Sequence, residues 1–65
     1  MKFWIARDDF AGDYELNLFD AKPIRGEHVW MTQEPDDVCF SIDSELFPEI
    51  TWEDEPRIIE INLIN

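Results

Sequence analysis

The stretch Ser44-Glu45-Leu46-Phe47-Pro48-Glu49-Ile50-Thr51-Trp52-Glu53-Asp54-Glu55-Pro56 decides the fold. It sets four bulky apolar residues, two prolines and five acids in thirteen positions. Ser44 has the chemistry of a helix N-cap for the residues after it. Pro48 works against a longer helix, because the residue before a proline is pushed out of the α region. One short helical or irregular segment is therefore expected near residues 44–52, laying Leu46, Phe47 and Ile50 over one face of a sheet. A small α+β fold is the alternative, if Pro48 opens a helix that runs to Asp54.

On either side of this stretch the chain reads as β-strand. Lys2 to Arg7 alternates Phe3 and Ile5 with Trp4 and Ala6, so both faces of a strand there are expected to be covered. Asp8 to Asp13 carries turn residues, and Tyr14 to Phe19 resumes with Tyr14, Leu16 and Leu18 inward and Glu15 and Asn17 outward. The two form a β-hairpin with a loop of about five or six residues. Asp20 to Glu27 is read as a connection with Pro23 at an edge. His28 to Thr32 and Val38 to Ile42 are read as two more strands, the latter facing the core through Val38, Phe40 and Ile42. Arg57 to Ile64 closes the chain with Ile59, Ile61 and Leu63 on one face.

The expected fold is mainly β: four or five antiparallel strands in a meander, forming a single domain over residues 1–65. The first and last strands are the most apolar and are expected to lie centrally or pair with each other, since exposed apolar edges invite aggregation. Monomer and homodimer both satisfy that requirement. At sixty-five residues, apolar burial and the ordering cost nearly cancel. Three Trp, five Phe and one Tyr tip the balance toward a folded chain.

The opening Trp4-Ile5-Ala6-Arg7-Asp8 and the segment Ser44 to Asp54 resemble short uncharacterised proteins encoded by gut bacteria and their phages. The resemblance covers the outer half of the chain and implies a small free-standing cytoplasmic protein, phage-related, with no established activity to carry over.

Sixteen acids against five cations give a formal net charge of −11. Such a surface repels nucleic acid and anionic membranes and favours a basic protein partner. Lys22, Arg25 and Arg7 make at most a small basic spot, read as paired with neighbouring acids. Cys39 is the lone cysteine, which excludes an internal disulfide and fits a reducing cytoplasm. Its only catalytic companion is His28, on an adjacent expected strand, and together they are a minor candidate for nucleophilic chemistry. Structural zinc needs several Cys or His, and the acidic turns Asp8, Asp9, Asp13 and Glu53, Asp54, Glu55 lack the alternating ligand pattern of a calcium loop. They are read as solvated turns. No cofactor and no metal are expected.

The expected function is thus a non-catalytic acidic interaction protein, its sharpest form a DNA-mimicking inhibitor. The alternatives are a small metal-dependent regulator or enzyme using the acidic turns or His28 and Cys39, and an accessory protein whose charge serves solubility. Trp52, Glu53, Asp54 and Glu55 are the candidate protein-binding residues, an aromatic anchor followed directly by acids. Crowding of like charge is expected to raise some folded-state carboxylate pKa values.

Overall fold

The computed structural model describes residues 1–62. Its strands are β1 (Lys2–Arg7), β2 (Leu16–Phe19), β3 (Ile24–Arg25), β4 (Trp30–Met31), β5 (Cys39–Ser41) and β6 (Arg57–Glu60). No helix is present among the described residues, and no helix is long and apolar enough to cross a membrane. The mainly β reading holds and the α+β alternative falls away. A four-stranded antiparallel sheet has the order β5-β2-β1-β6, with β3 and β4 pairing separately. This is not a meander: only the β1–β2 hairpin joins sequence neighbours within the larger sheet. The first and last strands do pair, with Phe3 opposite Ile59 and Trp4 opposite Ile58. β1 is central and β6 is an edge.

Register sorts the side chains into two faces. Ile5 lies opposite Leu18, and Leu18 opposite Phe40, while Phe3 lies opposite Ile59. These residues share the first face with Leu16, and Ile50 closes it together with Phe47 and Ile42. Trp4 lies opposite Phe19 and Ala6 opposite Asn17, which defines the second face. Trp30 and Trp52 cover that face. The two inner strands, β1 and β2, are therefore covered on both sides, as the double alternation of β1 requires. Residues 42–50 cover one side, and the β3–β4 hairpin with Trp52 covers the other.

The segment over the first face is a run of turns. Leu46 N–H bonds to the carbonyl of Asp43 at 3.0 Å, Ile50 N–H to Phe47 at 3.0 Å, and Asp54 N–H to Thr51 at 3.1 Å. Asp43 accepts from the Glu45 N–H and Asp54 from the Thr51 N–H, so each of those carboxylates closes its own turn. Phe47 takes φ 49°, the left-handed region that costs a residue with a Cβ, and it sits where two turns meet. Arg7 holds the run in place. Its guanidinium donates to the carbonyls of Ile50 (2.5 Å), Ser44 (3.0 Å), Leu46 (3.1 Å) and Phe47 (3.2 Å), and it pairs with Glu15 at 3.3 Å. Each of its N–H groups thus has an acceptor.

Several strand expectations need correction. The loop between β1 and β2 spans residues 8–15, and Tyr14 is exposed rather than inward. Asn17, expected outward, is buried because the second face is covered too. Val38 and Phe40 are 53% and 43% exposed, since β5 is an edge where the covering layer ends. The connection after Asp20 contains a strand, β3, and buries Pro23 instead of leaving it at a free edge. The expected strand from His28 shrinks to Trp30–Met31, with Trp30 inward. Here the Gly26 N–H bonds to Val29 O at 2.8 Å, and a Cβ on Gly26 would stand 2.7 Å from that same oxygen, so the hairpin needs glycine at this position. The final strand ends at Glu60; Leu63 and Ile64 lie outside the described residues.

Candidate functional site

Trp52 does not stand free in solvent. Thr51 is the point at which the chain passes from one face of the sheet to the other: Ile50 is 1% exposed in the first cluster, and Trp52 is half-buried against the second. Its ring meets Trp30 edge-on, with centroids 5.8 Å apart. Arg25, opposite Trp30 in the hairpin register, places its guanidinium carbon 4.4 Å from each of the two ring centroids. The same guanidinium donates to Trp52 O at 2.8 Å and to Asp54 O at 3.4 Å. A planar cation packed against two touching indole rings, with carbonyl acceptors at its edge, uses both of the recognition modes open to arginine.

Asp54 is committed to its own turn, where its carboxylate accepts from the N–H and hydroxyl of Thr51 at 2.8 and 3.3 Å. Glu53 and Glu55 are exposed. The four candidate residues therefore divide: Trp52 and Asp54 shape the site, and Glu53 and Glu55 carry its outward charge.

The cations do not gather into a basic spot. Arg7 is turned under the run of turns, Arg25 packs against both indoles, and Lys22 sits 5.6 Å over the Trp4 ring. Among the described residues, only Arg7 of the three is paired with an acid side chain. Aspartates and glutamates also differ in use. Asp20, Asp37, Asp43 and Asp54 each accept a backbone N–H, which is turn chemistry. Exposed Glu27, Glu34, Glu45, Glu53, Glu55 and Glu60 make no side-chain hydrogen bond or ion pair among the described residues. Sequence reasoning counted all these charges alike. The signal that could have separated them is position: aspartate recurs at turn corners, where its short side chain reaches the backbone.

His28 and Cys39 are not brought together. His28 closes the β3–β4 hairpin and meets Asp9 at 3.3 Å, whereas Cys39 lies on β5, in the other sheet. Although Cys39 as a residue is exposed, its thiol is pushed above its ordinary pKa, first by desolvation and then by the negative charge of Asp8. That works against the thiolate a nucleophile needs. No cluster of three or more metal-ligating side chains and no cavity is found among the described residues.

Asp8 is the polar residue that sequence reasoning misplaced, as part of a solvated turn. It is 8% exposed and ties three elements together. It accepts from the Trp30 N–H at 2.8 Å and from Asn17 Nδ2 at 3.2 Å, and the Asn17 Oδ1 accepts from Ser41 Oγ at 2.6 Å. Its pKa is raised, first by burial and to a lesser extent by Glu15, with the Trp30 N–H opposing. Burial, not crowding of surface charge, is the main cause. Because the folded value lies above the unfolded one, Asp8 favours folding at low pH, and that contribution is lost as pH rises through its folded pKa. The stability of the natural chain relative to an Asp8→Asn variant is expected to decline as pH climbs through the carboxylate range. Urea midpoints of both proteins across that range check it, and a flat or rising difference would contradict the assignment.

No protein-family model matches the chain, and neither a curated protein nor a solved structure matches it.

Proposed function

We propose that this chain is a non-catalytic interaction protein whose acidic surface binds a basic site on another protein, with a DNA-mimicking inhibitor as the sharpest form of that reading. The observation that carries it is the division of charge. Three of the five cations, Arg7, Lys22 and Arg25, are drawn onto backbone carbonyls and indole rings, while six exposed glutamates stay without a partner among the described residues. Complementary charge of this kind speeds association and makes it sensitive to salt. The reading extends to a phage-related cytoplasmic protein, supported by the resemblance of Trp4 to Asp8 and Ser44 to Asp54 and by the lone Cys39 thiol.

The test uses the native-host protein that co-purifies with the tagged chain. Affinity is measured by titration calorimetry at low and moderate salt, with duplex DNA as competitor. A loss of roughly tenfold or more in affinity as salt rises is expected, given several interfacial charges, together with displacement by DNA. Tight binding indifferent to salt would refute the acidic-surface reading, and failure of DNA to compete would remove its inhibitor form.

A further inference from the structure

The geometry points to the notch formed by the touching rings of Trp30 and Trp52 as a guanidinium site that an arginine of the basic partner takes over, with Arg25 as its resident occupant. This rests on the reading above and gives it a location. The occupant itself reveals the chemistry that the site selects. Arg25 lies 4.4 Å from both ring centroids and bonds the carbonyls of Trp52 and Asp54, so the site supplies two π faces and two acceptors to a planar, forked cation. An ammonium group offers neither the plane nor the fork.

Three features make exchange feasible. Arg25 is an exposed residue on a two-residue strand, and the backbone of the hairpin is held by the Gly26 to Val29 bond and by Asp8 on Trp30, neither of which involves the Arg25 side chain. The buried Nε1 of Trp30 has no hydrogen-bond partner among the described residues, so exchange at the ring breaks no bond of that group. Glu53 and Glu55 flank the site with exposed carboxylates that attract cations.

Arg25 is also a tethered competitor. An intramolecular ligand acts at an effective concentration of order millimolar, and the apparent affinity of an incoming arginine is reduced by the fraction of time that the site is occupied. Only a segment with several cations, some of them engaging the glutamates, displaces Arg25. The site therefore discriminates against isolated arginine and in favour of arginine-rich chains.

The test titrates hexa-arginine and hexalysine peptides into the natural chain and into Arg25→Gln, following the indole N–H resonances of Trp30 and Trp52. Hexa-arginine is expected to bind Arg25→Gln about tenfold more tightly than the natural chain, because the competitor is gone, and to shift both indoles. Hexalysine is expected to gain only what the loss of one surface positive charge gives, well short of the gain for hexa-arginine. Equal hexa-arginine affinity for both proteins overturns the inference while leaving the acidic-surface reading standing; absence of binding by either peptide overturns both. If amide dispersion shows that Arg25→Gln has lost its fold, the natural chain decides. Indole shifts with hexa-arginine but not with hexalysine support the site, and equal shifts with both peptides refute it.

Discussion

Replacing Arg7 with methionine is expected to leave the protein largely unfolded at room temperature. The guanidinium donates to four carbonyls of the 44–50 segment and pairs with Glu15, and its side chain is only 12% exposed. Methionine keeps much of the stem but strands a partly buried carboxylate and several carbonyls. Removing one partner of a buried pair costs about 3–5 kcal/mol, and each stranded buried acceptor adds about 1–3 kcal/mol. A chain of this length has a total stability of only ~3–10 kcal/mol. Arg7→Lys is expected to recover less than half of the loss, since an ammonium cannot reach acceptors spread around a planar fork. Urea unfolding followed by tryptophan fluorescence measures both variants. A loss below ~1 kcal/mol for Arg7→Met, the value of an exposed pair, would show that water replaces these bonds.

Phe19→Ala and Phe40→Ala are expected to differ sharply, although both residues lie on strands of the same sheet. Phe19 is 1% exposed and packs with Ala6 and Trp30, so its truncation leaves a cavity that the surrounding indoles do not fill. The cost is about 3–5 kcal/mol. Phe40 is 43% exposed at an edge strand, where it meets Phe3 edge-on at 5.6 Å. Losing that contact and half of its burial is expected to cost about 1–1.5 kcal/mol. Thermal unfolding of the two variants at matched pH and salt checks the contrast. Comparable losses would mean that β5 is covered more fully than the fold indicates.

That contrast also shows where pattern reading works. In Leu16 and Leu18 the alternation points correctly to the first face, because β2 is internal to the sheet and its neighbours enforce the period. The same rule applied to Val38 and Phe40 misleads: alternation says which side a residue faces, not whether anything covers it there. Tyr14 fails for a related reason. The loop after β1 runs on to Glu15, whose carboxylate is drawn to Arg7, so the pairing begins only at Leu16. At the candidate site, the joint at Thr51 was visible as a change from apolar residues to acids. The placement of Trp52 against Trp30 and Arg25 was not, since it depends on a hairpin more than twenty residues earlier in the chain.

Local chemistry, which a sequence carries by itself, determined a mainly β chain, turns at the Asp-rich and Pro-rich segments, and no long helix across Pro48. Each of these follows from forces acting over a few residues: the period of side chains along a strand, the backbone bonds of aspartate and the φ of proline. Only the tertiary structure decided which segments cover the two faces of the sheet, that the first and last strands lie side by side, that Asp8 and Asn17 are buried, that Arg7 binds carbonyls 37 to 43 positions away, and that Arg25 packs against two tryptophans. A guanidinium has no preferred partner along its own strand. It goes to whatever acceptors and rings the assembled layers bring within reach, and those layers exist only once the distant segments have packed.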